Sequence, residues 1–122
     1  MHAINTSTNA GTSITTGIIG IEPNDLAVTP EGTKIVVAEG ASHQVQIITV
    51  ATHAVAATVV IPEVGGVKSR PDAVAVTPGG LTAYVLDGAN KLVYPIRIAT
   101  GARGTGIAVN TQGDPGAIVI TP

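Results

Sequence analysis

The sequence has no cysteine, no tryptophan and no phenylalanine, and only two tyrosines and one methionine among 122 residues. Without cysteine there is no disulfide framework, no thiolate chemistry and no Cys-based zinc or iron–sulfur site. The shortage of aromatic faces removes the platforms on which bases and sugars stack. Charge is scarce as well: six Lys and Arg stand against eight Asp and Glu, a formal net charge of −2. Nucleic-acid binding draws on a basic excess that neutralises phosphates, so no nucleic-acid partner is expected. The opening residues, Met1-His2-Ala3-Ile4-Asn5-Thr6, have neither a positive n-region nor a compact apolar run and do not read as a signal peptide. Residues 40–62 lack Asp, Glu, Lys and Arg, yet His43, Gln44, Gln46, Thr49, Thr52, His53 and Thr58 interrupt them throughout. A bilayer-spanning helix needs ~20 predominantly apolar residues, so no membrane span is expected.

What the sequence does have is Val, Ile, Ala and Gly. Hydrophobic residues make up 44% of the chain, too many for a disordered polymer of low charge. They are organised in a repeat. Leu26-Ala27-Val28-Thr29-Pro30 recurs as Val74-Ala75-Val76-Thr77-Pro78 and again as Ile118-Val119-Ile120-Thr121-Pro122. The shared Thr stands at intervals of 48 and 44 residues, and each copy follows a proline: Pro23, Pro71 and Pro115. A second anchor recurs in step as Ser7-Thr8-Asn9, Ala51-Thr52-His53 and Ala99-Thr100-Gly101. Anchors that coincide in register mark an internal repeat.

Within each unit the apolar residues fall in short runs of β-branched type, broken by Gly, Pro, Asn, Ser or Thr. Such residues lose rotamer freedom in a helix and pack well on a pleated surface. The fold class is therefore all-β. Four strands fit each unit, best seen at 73–77, 82–86, 91–98 and 103–109. A period of ~40–50 residues with four strands is that of a β-propeller blade, whose strands run A to D from the centre outward. The reading divides the chain into a partial blade over 1–22, blades over 23–66 and 67–112, and the innermost strand of a further blade within 113–122. The partial blade would carry strands C and D near 3–6 and 12–18, and the last strand A would span 117–121.

Tyr84-Val85-Leu86-Asp87, the AVTP-plus-turn element from Ala27 to Gly32 and the turn from Ile96 to Thr100 resemble the YVTN β-propeller repeats. The Asn that closes that family's motif is acidic here, as Glu39 and Asp87, and its Tyr is Val36 in the first copy. The resemblance covers essentially the whole chain and speaks to fold more than to activity. It implies a surface-layer-like or lactonase-like setting, compatible with an extracytoplasmic location, and it places the D–A and B–C loops on one ligand-facing rim.

A closed propeller takes ~4–8 blades, so an arc of fewer than three leaves strand edges and apolar faces uncovered. Either the chain is a piece of a longer polypeptide or identical copies close the ring. A homo-oligomer is expected, a dimer first, in which the last strand A of one copy joins the N-terminal C–D pair of the next. On the rim loops fall Glu22, Asp25, Glu39, Asp72, Asp87 and Asp114, six of the eight acids. Glu39, His43, Arg70, Asp72, Asp87 and Asp114 are the candidate ligand-binding residues. The competing reading is that these Asp and Glu hydrogen-bond their own loop backbone. No D-x-D-x-D loop, no metal-spaced His pair and no G-x-S-x-G elbow is present, so no metal site, cofactor or catalytic residue is assigned. The sequence thus favours a non-enzymatic structural or binding module, partnered by a small polar ligand or a protein. A lactonase-like hydrolase working at a carboxylate-rich channel mouth is the alternative.

Overall fold

Runs of Val and Ile bounded by turn residues become antiparallel hairpins. The computed structural model describes residues 1–13, 22–109 and 112–121, and among them it forms eleven strands and no helix. A short hairpin opens the chain, β1 (His2–Ile4) with β2 (Gly11–Ser13). A first sheet follows in the order β3 (Pro23–Val28), β4 (Lys34–Glu39), β5 (Gln44–Thr49), β6 (Val55–Val60). The second sheet repeats it with β7 (Pro71–Val76), β8 (Thr82–Asp87) and β9 (Leu92–Arg97), closed by two short strands, β10 (Ala102–Arg103) and β11 (Ile107–Ala108).

The repeated turn sequences have conformational reasons. Gly32 and Gly80, at φ of 75° and 73°, each donate to the carbonyl of the preceding Thr29 or Thr77 at 2.8 Å. Left-handed backbone of this kind suits glycine, which has no Cβ to clash. The second anchor is also a left-handed position: Asn9, His53 and Gly101 have φ of 57°, 57° and 71°. Their N–H groups donate to the carbonyls of Asn5, Thr49 and Arg97, four residues back in every case. Three copies of one turn explain why that triplet recurs although its residue types do not.

The two sheets pack face to face, with β3 beside β7. Val36, Ala38, Val45, Ile47, Val59 and Ile61 meet Val74, Ala83, Val85, Tyr94, Ile96 and Ile98 in one core. Burying a Val or Ile side chain stabilises by about 1.5–3 kcal/mol, so this contact dominates the stability of the pair. The reverse face of the first sheet buries Val37 and Ile48 against Met1, Ala3, Ile35 and Val55, which brings the β1–β2 hairpin onto it. The first sheet is thus covered by the second sheet on one face and, at Val37 and Ile48, by the hairpin on the other.

The second sheet packs one face on the first. Side chains alternate along a strand, so Tyr84 and Leu86 point away from the core that Ala83 and Val85 enter. Tyr84, Leu86, Val93, Pro95 and Ile107 stand 48 positions after Val36, Ala38, Val45, Ile47 and Val59, the covered residues of the first sheet. Their apolar character is kept: Leu86 is buried, Tyr84, Val93 and Pro95 are half-buried, and Ile107 is 53% exposed.

Two strands differ from the sequence expectation. The outer strand expected over 103–109 is split into β10 and β11, both paired with β9. Pro95, at the middle of β9, has no N–H to give a continuous fourth strand. Gly104 turns there instead, donating to the Pro95 carbonyl at 2.7 Å with its Cα close over the proline ring. The second difference is that residues 117–121 carry no strand. Ile118 and Ile120 are half-buried and Val119 is 82% exposed, with no ladder partner among the described residues. At the other end, the expected strand near 12–18 is seen as Gly11–Ser13, and residues 14–18 lie outside the described residues.

Candidate functional site

The loops that the repeat assigns to one rim do come together. Gly40, Ala41 and His43 follow β4, Ala89 follows β8, and Lys68, Ser69 and Arg70 precede β7. With Glu22 and Asn24 they line a cleft of about 360 Å³ between the ends of the two sheets. Two cations and one anion, Lys68, Arg70 and Glu22, give it a mixed polar wall.

Two of the six rim acids, Glu39 and Asp87, are turned into the protein. Asp87 is fully buried. Its Oδ1 accepts from the backbone N–H of Arg70 at 2.9 Å, Ala89 at 3.1 Å and Asn90 at 3.2 Å, and its Oδ2 accepts from Asn90 Nδ2 at 2.9 Å. One carboxylate thereby holds the B–C turn and the approach to β7 at once, and Asn90 extends the network to the Val67 carbonyl. Glu39, at the same place in the first copy, is buried too and accepts from Gln44 Nε2 at 2.7 Å. Loss of hydration pushes the Glu39 carboxyl above its ordinary range, and the Gln44 hydrogen bond offsets only part of that.

Asp72 and Asp25 join the sheets to each other. Asn24 Nδ2 donates to the Pro71 carbonyl at 3.1 Å and to Asp72 Oδ1 at 3.2 Å. Asp25 Oδ2 accepts from the Val74 N–H at 3.0 Å, a direct tie between β3 and β7. Arg70 lays its Nε against both Asp72 oxygens, at 2.9 and 3.0 Å, and Asp114 stands 4.0 Å from its Nη2. The neighbouring Asp72 carboxylate raises the Arg70 pKa further above its already high value, so the guanidinium stays charged at any working pH. His43 is a left-handed turn residue at φ 56°, matched by Lys91 at the same place in the second copy. Its Nδ1 sits against the Ser69 carbonyl, an acceptor only, so Nδ1 carries the proton. Ser69 is itself buried, donating from Oγ to the Ile61 carbonyl at 2.8 Å.

The six candidate residues therefore divide. His43 and Arg70 line the cleft, Asp72 and Asp114 flank Arg70, and Glu39 and Asp87 lie beneath the loops with their carboxylates engaged. Among the described residues no three His, Asp or Glu side chains gather as metal ligands. Sequence reasoning missed Gly40 and Gly88. A Cβ on Gly40 would overlap the Asn24 side chain, and one on Gly88 would overlap the Asp72 carboxylate. These glycines let the A strand of each sheet reach the B–C turn, and the signal was there: both pairs keep the 48-residue spacing.

No family model matches the sequence, and no curated protein matches it. Solved structures do match. Hydrazine synthase of Kuenenia stuttgartiensis superposes with a TM-score of 0.72 at 23% identity, over 86% of this chain and 28% of that one. The U3-55K structure gives 0.66 at 14% identity, covering 79% and 29%. The WD40 repeats of RRP9 give 0.65 at 16% identity, covering 79% and 28%. The chain spans less than a third of the length of each of these structures. WD40 repeats are blades of a β-propeller. The fold is accordingly that of β-propeller repeats, two four-stranded blades with partial ones beside them, an incomplete ring per chain.

Proposed function

We propose that the chain is a non-enzymatic β-propeller module with a structural or binding role, its ring completed by further copies of itself, two being the favoured number. The observation that carries this is the outer face of the second sheet. Tyr84, Leu86, Val93, Pro95 and Ile107 repeat, position for position, an apolar face that the first sheet buries; here Leu86 is buried, Tyr84, Val93 and Pro95 are half-buried and Ile107 is 53% exposed. An apolar face of this kind is an interaction surface or an aggregation hazard. The resemblance to YVTN repeats supports the same reading. Light scattering coupled to gel filtration tests it: the expected species has at least twice the 12.1 kDa chain mass. A folded 12.1 kDa monomer at micromolar concentration overturns it.

The cleft at the rim supports a binding role for a small polar ligand or a protein loop at the same time. Its wall of Lys68, Arg70 and Glu22 offers both signs of charge around about 360 Å³. The alternative, a hydrolase of lactonase type, asks for free carboxylates at the rim. Asp87, Asp72 and Asp25 give their oxygens to N–H donors instead, which favours the module. A thermal-shift screen against divalent cations separates the two: no stabilisation is expected, and a saturable rise in Tm would restore the enzyme.

A further inference from the structure

We propose that copies of this chain join head to tail through a blade shared between them, in which Val119 of one copy packs on Leu26 and Val28 of the next. The proposal rests on the self-assembly reading above and names its contact.

The template lies within the chain. Ala27, facing the second sheet from β3, packs on the core to which Val74 and Val76 of β7 belong. Two positions are left waiting for the same contact. Leu26 and Val28 stand 48 positions before Val74 and Val76, on the opposite face of β3, and are 49% and 51% exposed. Among the described residues the β1–β2 hairpin covers that face at Val37 and Ile48, beside the half-buried Ile35 and Val55, and leaves the seat beside the innermost strand exposed. A cleft of about 320 Å³ bordered by Met1, Pro23, Asn24, Asp25 and Leu26 marks the opening. In the register anchored by Thr29 and Thr121, Val119 stands where Ala27 does, and Ile118 and Ile120 stand where Leu26 and Val28 do.

Ile118 and Ile120 are half-buried while Val119 is 82% exposed. The segment thus already lies with one face inward and presents the other, as an innermost strand does before the next blade covers it. The carbonyl of Pro115, just before it, lies 3.1 Å from where a Gly88 Cβ would be, which holds the segment at the end of the second sheet. Each copy therefore carries one uncovered apolar knob and one uncovered apolar seat, related by the repeat. They lie on opposite sides of the two blades and face apart, and on the self-assembly reading a second copy supplies the contact. β1 has β2 as its one neighbour among the described residues, and its other edge is available to an incoming strand. A contact between unlike surfaces closes into a ring when the rotation allows. With two blades per copy and one shared blade per junction, two copies make six, within the usual ~4–8.

The absence of cysteine gives a clean test. Val28→Cys and Val119→Cys chains, made separately and mixed under mild oxidation, are expected to yield a disulfide-linked dimer. The linked fraction should exceed by at least tenfold that of a control mixture of Val119→Cys with Leu81→Cys, an exposed position away from the seat. A chain that stays monomeric by light scattering overturns both the contact and the self-assembly reading. An oligomer in which the Val28 and Val119 variants link no better than the control overturns the contact alone. Val119→Asp gives an independent reading, because an exposed side chain can change without unfolding its own copy. Sedimentation is expected to show association weakened at least tenfold with the far-UV spectrum kept, and unchanged association overturns the proposal.

Discussion

Replacing Asp87 by Ala removes one acceptor group on which four donors converge. Two of those bonds fix the turn after β8 through Ala89 and Asn90, one fixes the backbone of Arg70 across the rim, and one holds the Asn90 amide. A hydrogen bond to a charged group contributes about 1.5–3 kcal/mol net, and a buried donor left without a partner costs about 1–3 kcal/mol. Simple addition over four bonds would overshoot, because bonds sharing one acceptor are not independent. Water also reaches the Ala89 and Asn90 amides, which are only partly buried. A loss of about 3–4 kcal/mol is therefore expected, against a total of about 5–15 kcal/mol for a domain. Asp87→Asn keeps the Oδ1 acceptor but points its amide at the Asn90 amide, so about half that loss is expected. Urea unfolding followed by far-UV circular dichroism reads the change. With a slope of about 2 kcal/mol/M, the Ala variant shifts the midpoint by roughly 1.5–2 M. A shift below about 0.5 M would show that Asp87 is not a structural staple, and would return it to the rim as a ligand group.

Three further outcomes follow from the same rim. Glu39→Gln keeps the acceptor for Gln44 and removes the charge that burial disfavours. Because the folded carboxyl titrates higher than the unfolded one, its protonated form is fully stabilising below the ordinary Glu range, and that stability is lost as pH rises through the raised value. The variant should therefore have the higher Tm at pH 7, with the gap closing near pH 4, and a constant gap in a thermal melt series would refute this. Gly88→Ala forces the Asp72 carboxylate aside and away from Arg70, costing about 1–2 kcal/mol in denaturant unfolding, whereas Gly79→Ala, with open space around it, should cost under about 0.5 kcal/mol. Arg70→Ala should lower stability by less than about 1 kcal/mol, since the pair with Asp72 is half-exposed, and a larger loss at high salt would contradict a screened surface pair.

The blade pattern was legible because the repeat combines two periodicities, alternation along a strand and 48 residues between blades. Both survive substitution: Val36 becomes Tyr84 and Ile47 becomes Pro95, yet each keeps its face and its register. What was not legible was local. Pro95 fills its place in the apolar face but withholds an N–H from the outer strand, so the fourth strand breaks at Gly104. The segment over 117–121 has the sequence of a strand, but a strand also needs a ladder partner, which composition does not supply. The rim acids recur with the repeat, yet the direction of their side chains depends on neighbours distant in sequence. Asp25 finds the Val74 amide 49 residues away, and Asp87 finds that of Arg70 17 residues away.

That distinction bears on how such a module binds. Its carboxylates are distributed by the repeat, but the copies use them differently. Asp87 at the end of β8 holds its turn through backbone N–H groups, while Glu39 at the end of β4 accepts from the Gln44 side chain. A group used as Asp87 is used is poorly placed to evolve a binding role, because changing it loosens a blade. The residues free of that duty differ between the copies: Glu22 stands where Arg70 does, and His43 where Lys91 does. A ligand at the rim would be distinguished by these unlike pairs, and the cleft between the sheets has Glu22, His43 and Arg70 all on its wall. The same division holds for assembly. The apolar core faces recur in both blades, while Val119 and the Leu26–Val28 pair, exposed among the described residues, are where the proposed contact would form.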